Sequence, residues 1–240
     1  MRDHTVIVGF GTKGRSAAQT LCATGLHRDR IVIVDPSSKV IDAAVADGFA
    51  GVVGDATRSD VLLRAEVQRA HQVVIATQRD DTAVLVSLTA RQLNKRANIV
   101  AAVREEENAP LLRQSGANSV ITSASAAGRL LGLSVHSPSA GTVMEDLIQQ
   151  GSGLDLVERT VVKAEVGKSV RETDDLVVSV LRGHRLLGYD DPEASPLQST
   201  DRLITIVRAA PAEAADHSGK PSAKPTLPGT GVAPMRRVDE

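Results

Sequence analysis

The chain has 240 residues, a formal net charge of −1, 42% hydrophobic and 24% charged residues, and one cysteine, Cys22. So near-neutral a balance lacks the footprint of a polyanion binder, and 1% aromatics with no Trp removes the stacking platforms used on single-stranded nucleic acid. A lone cysteine excludes an internal disulfide, and no apolar run reaches the roughly 18 residues of a membrane span, so a membrane is expected only through another module.

In chain order, the first half alternates short apolar runs with helical patterns, the rhythm of βαβ units. Strands are expected at 5–9 (TVIVG), 31–35 (IVIVD), 51–55 (GVVGD), 72–77 (QVVIAT), 98–103 (NIVAAV) and 119–122 (SVIT). Their continuous apolarity predicts a sheet covered on both faces. Helices fall around 13–24, 37–48, 59–66, 81–95 and 105–116, with Ser37, Ser59 and Asp80 or Asp81 as N-caps. The expected fold is α/β, a Rossmann-type doubly wound parallel sheet in the order 3-2-1-4-5-6.

After residue 122 the rhythm changes. Two helical patterns meet at Ser137-Pro138 with no strand between them, which predicts a helical crossover bridge over 123–151. From 152 to 209 short alternating strands predict a small α+β C-terminal lobe, with 167–172 (GKSVRE) as a short helix. The segment 210–240 is rich in Pro, Ala, Ser, Gly and Lys and offers too little apolar surface to offset its ordering entropy, so it is expected to be a disordered tail.

Chemistry concentrates in the lobe 1–122. Gly9, Gly11 and Gly14 form G-x-G-x-x-G after a strand and at a helix start, and Asp35 follows about 20 residues on, at the end of the second strand. Gly9 permits the tight turn, Gly11 admits a pyrophosphate, and Gly14 lets helix and strand approach. The phosphates would lie on the free N–H groups at the helix start, beside Phe10 and Thr12, with charge from Lys13 and Arg15. Asp35, beside Pro36, stands where ribose hydroxyls are expected, favouring NAD(H) or an adenine nucleotide (ATP, ADP or AMP) over a 2′-phosphorylated ribose. Asp55, Ala56 and Thr57 end the third strand, and Ala76, Thr77, Gln78 and Arg79 end the fourth. Arg104, after the fifth, reads equally as a ligand contact or a structural ion pair.

No catalytic apparatus is visible. His4, His27, His71, His136, His184 and His217 are scattered, never at metal-ligand spacing, and His4 and His71 read as ordinary loop positions at strand starts. The acids of 104–109 (REEENA) read as helix-dipole partners, and Asp190, Asp191 and Glu193 read as a solvated turn. Neither a catalytic residue nor a metal site is assigned.

The G-x-G-x-x-G, the strand-ending Asp35, 54–57 (GDAT) and 117–132 (ANSVITSASAAGRLLG) together resemble the RCK (regulator of potassium conductance) and TrkA-type family, over about residues 4–209. Further, 9–17 (GFGTKGRSA), 80–93 (DDTAVLVSLTARQL) and 111–120 (LLRQSGANSV) resemble the domain attached to actinobacterial potassium channels. The resemblance implies a ligand-sensing gating domain at the cytoplasmic face of the membrane, with the pore upstream in the same polypeptide, and homodimers assembling into a ring. It also implies that the surplus apolar residues of 82–93, such as Leu85 and Leu88, form an assembly surface. The C-terminal lobe departs from the family's frequent Gly-Asp pair, having Ser199 and Thr200 ahead of Asp201. A freestanding transporter subunit and an NAD-dependent oxidoreductase are the alternative readings.

Overall fold

Residues 1–149, 151 and 153–209 are described by the computed structural model, so the tail expected at 210–240 lies outside the described residues. Six parallel strands, β1 (Thr5–Val8), β2 (Ile31–Asp35), β3 (Ala50–Val53), β4 (Gln72–Ile75), β5 (Asn98–Val103) and β6 (Ser119–Thr122), pair in the order β3-β2-β1-β4-β5-β6. The order reverses between β1 and β4, where an open α/β sheet leaves a crevice at its carboxyl edge.

Alternation along the strands builds the two faces. Val6, Val8, Val32, Val34, Val73 and Ile75 pack with Val61 and Leu62 of α3 (Ser59–Arg64), Ala83, Val86 and Ala90 of α4 (Asp80–Leu93), and Leu112 of α5 (Ala109–Gln114). Ile7, Ile31 and Ile33 point the other way, onto Ala18 of α1 (Thr12–Ala23) and Ile41 and Ala44 of α2 (Ser38–Ala46). Each such Val, Ile or Leu side chain contributes about 1.5–3 kcal/mol of burial, which compensates for the scarcity of aromatics. The chain's two phenylalanines, Phe10 and Phe49, meet edge to face at 5.7 Å.

The expectation of strands buried on both faces fails at the sheet edges. In β3 Gly51 and Val53 are exposed, and in β6 Ile121 is 50% exposed, because each edge strand lacks a neighbour and full helix cover on one side. Capping differs too. Ser37 occupies the N-cap of α2 without a side-chain bond, whereas Ser59 and Asp80 lie one residue inside their helices, behind Arg58 and Arg79. His4 precedes β1, but its ring is fully buried with Nε2 3.0 Å from the Ala65 carbonyl, so it is a core residue and not a surface loop residue.

β6 ends at Thr122 and α6 (Ser123–His136) begins at once, followed by α7 (Pro138–Ile148). Ser137 is extended, as a residue before proline must be, and this turns the chain between the two helices. Leu131 and Val135 of α6 and Ile148 of α7 are 69%, 87% and 62% exposed. Beyond them β7 (Leu154–Thr160), β8 (Leu176–Arg182), β9 (Arg185–Gly188) and β10 (Arg202–Arg208) form an antiparallel sheet in the order β7-β10-β8-β9. Within 167–172 only a 3₁₀ turn forms, Val170–Glu172, closed by a capping box between Ser169 and Glu172. Asp201 is fully buried in this lobe and paired bidentately with Arg182 at 2.9 and 2.7 Å.

Candidate functional site: a cleft at the carboxyl edge

A cleft of about 630 Å³ opens where β1 and β4 diverge. The turn after β1 forms its floor. Gly9 has φ +86°, a conformation costly for any side chain, and a Cβ there would press on the Ala76 carbonyl of β4's exit. A methyl group on Gly14 would overlap the Gly9 carbonyl oxygen, so Gly14 is what allows α1 to lie against the turn. Gly11 is different: a Cβ there would meet no protein atom within 4 Å. It is the N-cap of α1 and lines the cleft, so its missing side chain leaves open space in front of free N–H groups.

Asp35 closes one wall. Its Oδ2 accepts from the Phe10 N–H at 2.9 Å and its Oδ1 from the Ser37 N–H at 3.0 Å, which locks the glycine turn to the end of β2. Each oxygen retains a lone pair, an acceptor pattern suited to a vicinal diol. Next to it, Asp55 accepts from the backbone N–H and the hydroxyl of Thr57 at 2.9 and 2.8 Å, and these bonds hold its carboxyl below the usual carboxylate range.

The opposite wall carries positive charge. Lys13 reaches across from α1 and donates to the Thr77 carbonyl at 2.7 Å. Burial lowers its pKa from the ordinary 10.5, opposed by the field of Asp80 and assisted by that of Arg104. Lys13 is thus a partly desolvated cation held at the cleft, not a solvated surface lysine. Asp80 in turn accepts from the Arg104 and Glu105 N–H groups at 2.9 and 3.1 Å and from Asn108 Nδ2 at 2.9 Å. Burial raises the Asp80 carboxyl, but these donors and the Lys13 charge outweigh it and hold the pKa below its ordinary value. Lys13 and Asp80 therefore connect the cleft to the corner between β5 and α5. From that corner Glu106 lies 4.0 Å from Arg129 of α6.

Of the residues singled out in the sequence, Gly9, Phe10, Gly11, Thr12, Lys13, Asp35, Pro36, Asp55, Ala56, Ala76, Thr77, Gln78 and Arg79 line this one cleft. Three do not. Gly14 lies beneath the turn as a packing residue, Thr57 shapes the Asp55 loop, and Arg104 contributes its backbone N–H to Asp80. Arg79, though at the cleft, is paired with Asp81, and Arg15 stands over the Phe10 ring at 4.8 Å. No group of three His, Cys, Asp or Glu side chains suited to a metal ion occurs among the described residues.

The stretch that builds the cleft, residues 5–123, matches the TrkA-N domain family. Probable potassium channel protein 2 of Methanocaldococcus jannaschii is 30% identical over 122 residues, 51% of this chain and 36% of that protein. Potassium channel protein 1 of the same organism is 24% identical over 203 residues, 80% of this chain and 60% of that protein. The solved structure "GsuK channel bound to NAD" is 26% identical with a TM-score of 0.50, covering 86% of this chain and 36% of that one. The chain therefore spans less than two thirds of the length of these relatives.

The cleft also uses residues that sequence reading passed over: Val8, Val34, Val40, Gly54 and Thr82. Gly54 stood inside the quoted GDAT stretch, and its neighbours signalled it. Thr82 sits in the first turn of α4 and Val40 in that of α2, so both face the carboxyl edge once the helix starts are placed. Val8 and Val34 are strand-end residues whose exposure to the cleft depends on where each strand stops.

Proposed function

We propose that the cleft binds a nucleotide as a signal, NAD(H) foremost with an adenine nucleotide as the other candidate, and that occupancy regulates potassium flux through a channel pore. The reading makes the chain a sensor and not an enzyme, acting at the cytoplasmic face of the membrane as part of a homo-oligomeric ring, with the pore in the same polypeptide or a partner. A freestanding transporter subunit is the variant of this reading in which the pore is separate.

The observation that carries it is Gly11: a helix N-cap with open space where a side chain would stand, flanked by Lys13 and by the diol acceptor Asp35. A pyrophosphate fits this combination of free N–H groups, helix dipole and cation. The Asp35 carboxylate disfavours a 2′-phosphate by like charge. The channel relatives, and the NAD-bound state of one related channel, support the choice of ligand and process. Such a ligand acts through its differential affinity for two arrangements of the subunits, which needs no turnover. Thermal unfolding with and without NAD tests it: NAD raises the midpoint of the wild-type chain and not that of Gly11→Ala.

A further inference from the structure

At the opposite edge of the parallel sheet, roughly 13 Å from the cleft along the four residues of β4, the loops entering β1, β4 and β5 enclose a groove of about 420 Å³. It is lined by Arg2, Arg69, Arg96 and His71, with Asp3 as its only carboxylate. Most arginines elsewhere in the fold have a named partner: Arg28 and Arg64 bond carbonyls, Arg58 and Arg79 bond aspartates, and Arg159 and Arg182 sit in ion pairs. Among the described residues no ion pair or side-chain hydrogen bond engages the guanidinium groups of Arg2, Arg69 or Arg96. Glu66, whose field reaches Arg69, is engaged by the amino group of Met1.

The groove is also built and not merely populated. Buried Asn94 donates through Nδ2 to the carbonyls of Val67 and Ala70 at 2.8 and 2.9 Å, and accepts through Oδ1 from the N–H groups of Arg96 and Ala97, both at 2.9 Å. One side chain thereby fixes the Arg96 loop on the Arg69 loop. The Asp3 N–H donates to the Arg69 carbonyl at 3.0 Å and the His71 N–H to the His4 carbonyl at 2.9 Å, which fixes the Arg2 segment to the same body. Both non-glycine residues with positive φ among the described residues, Asp3 and Glu66 at 53°, lie in these loops. Backbone held in that region persists only where the surroundings over-determine it, and such positions gather at functional sites.

We infer that this amino-edge groove is a second, independent anion site, and that its ligand is a phosphate group, presented either by an anionic lipid headgroup or by a soluble phosphate. Three guanidinium forks with free donors against one carboxylate match the geometry and charge of phosphate oxygens, and Arg is suited to bidentate capture of them. Arginines that served only to complement helix C-termini would contribute to stability and would show no ligand selectivity.

The test uses the 240-residue chain carrying Gly11→Ala, which is expected to silence the nucleotide cleft, with and without Arg69→Gln and Arg96→Gln. One arm measures co-flotation with vesicles of phosphatidylcholine alone or mixed with phosphatidylglycerol; the other titrates inorganic pyrophosphate calorimetrically. Binding is expected in at least one arm and identifies the source, and the double Gln substitution weakens it by about tenfold or more. In the background with Gly11 intact, NAD binding is expected to survive the Gln substitutions, so failure here is separable from failure of the nucleotide reading. No binding in either arm, or binding equally strong in the Gln variant, overturns the inference.

Discussion

The ammonium of Lys13, on the first turn of α1, donates to the carbonyl oxygen of Thr77 at the exit of β4, 2.7 Å away. This bond spans the two strands between which the sheet order reverses, so a ligand phosphate that draws Lys13 away also loosens its hold on Thr77 and changes the field on Asp80. Lys13→Met is expected to weaken nucleotide binding about tenfold, one charge-assisted bond's worth, with little effect on the unliganded protein. Calorimetric titration paired with thermal unfolding reads both.

Gly11 and Gly14 separate function from packing. Alanine at Gly14 drives a methyl group into the Gly9 carbonyl oxygen, so α1 must shift; alanine at Gly11 meets no protein atom. Gly14→Ala is expected to cost about 1–3 kcal/mol of stability, whereas Gly11→Ala folds as well as wild type and loses the ligand. Urea unfolding of the two variants, with and without NAD, makes the comparison.

Replacing Asp35 by Asn keeps one acceptor for the turn while removing the carboxylate that repels a 2′-phosphate. Its expected effect is weaker NAD binding and a narrowed preference for NAD over NADP, measured by competition titration. Asp35→Ala also strips the Phe10 and Ser37 N–H groups of their acceptor and should lower stability as well.

In the C-terminal lobe, the Arg182 guanidinium beside buried Asp201 holds the Asp201 carboxyl below its ordinary 3.8, and the Gln198 N–H adds to this. A depressed folded-state pKa stabilises the fold fully above the unfolded value and loses that stabilisation as pH falls through the folded one. Asp201→Asn should therefore cost about 1–3 kcal/mol at neutral pH, with the difference from wild type shrinking only below about pH 4. Urea unfolding across pH 2–7 follows it.

Helix α4 buries Ala83, Val86, Ser87 and Ala90 and leaves Leu85 and Leu88 about half exposed; α6 exposes Val135 almost completely. If subunits assemble as proposed, Leu88→Glu and Val135→Asp each reduce the sedimenting mass, and doubly substituted chains sediment as monomers. Unchanged assembly in both would remove the ring from the account.

Much of the fold was legible because the aliphatic runs of β1, β2, β4 and β5 carry one meaning wherever both faces are covered. Val53 and Ile121 were misread for the same reason, since nothing in a short apolar run distinguishes an edge strand from a central one. Most of the cleft could be placed because glycine spacing and strand ends fix a carboxyl-edge site. Thr57 and Arg104 could not be sorted from their neighbours, because whether a loop residue faces the ligand or its own backbone depends on hydrogen bonds that only the folded loop displays. The partner of Lys13 was equally hidden, being 64 residues away in the chain.

The most direct test is calorimetric titration of NAD into the wild-type chain and Gly11→Ala, with the nucleotide recovered afterwards. Saturable binding of one NAD per chain, its loss in the variant, and recovery of the nucleotide unchanged are the predicted results. Equal binding by both proteins, or NAD consumed during the titration, would contradict a cleft that senses its ligand through the open space at Gly11.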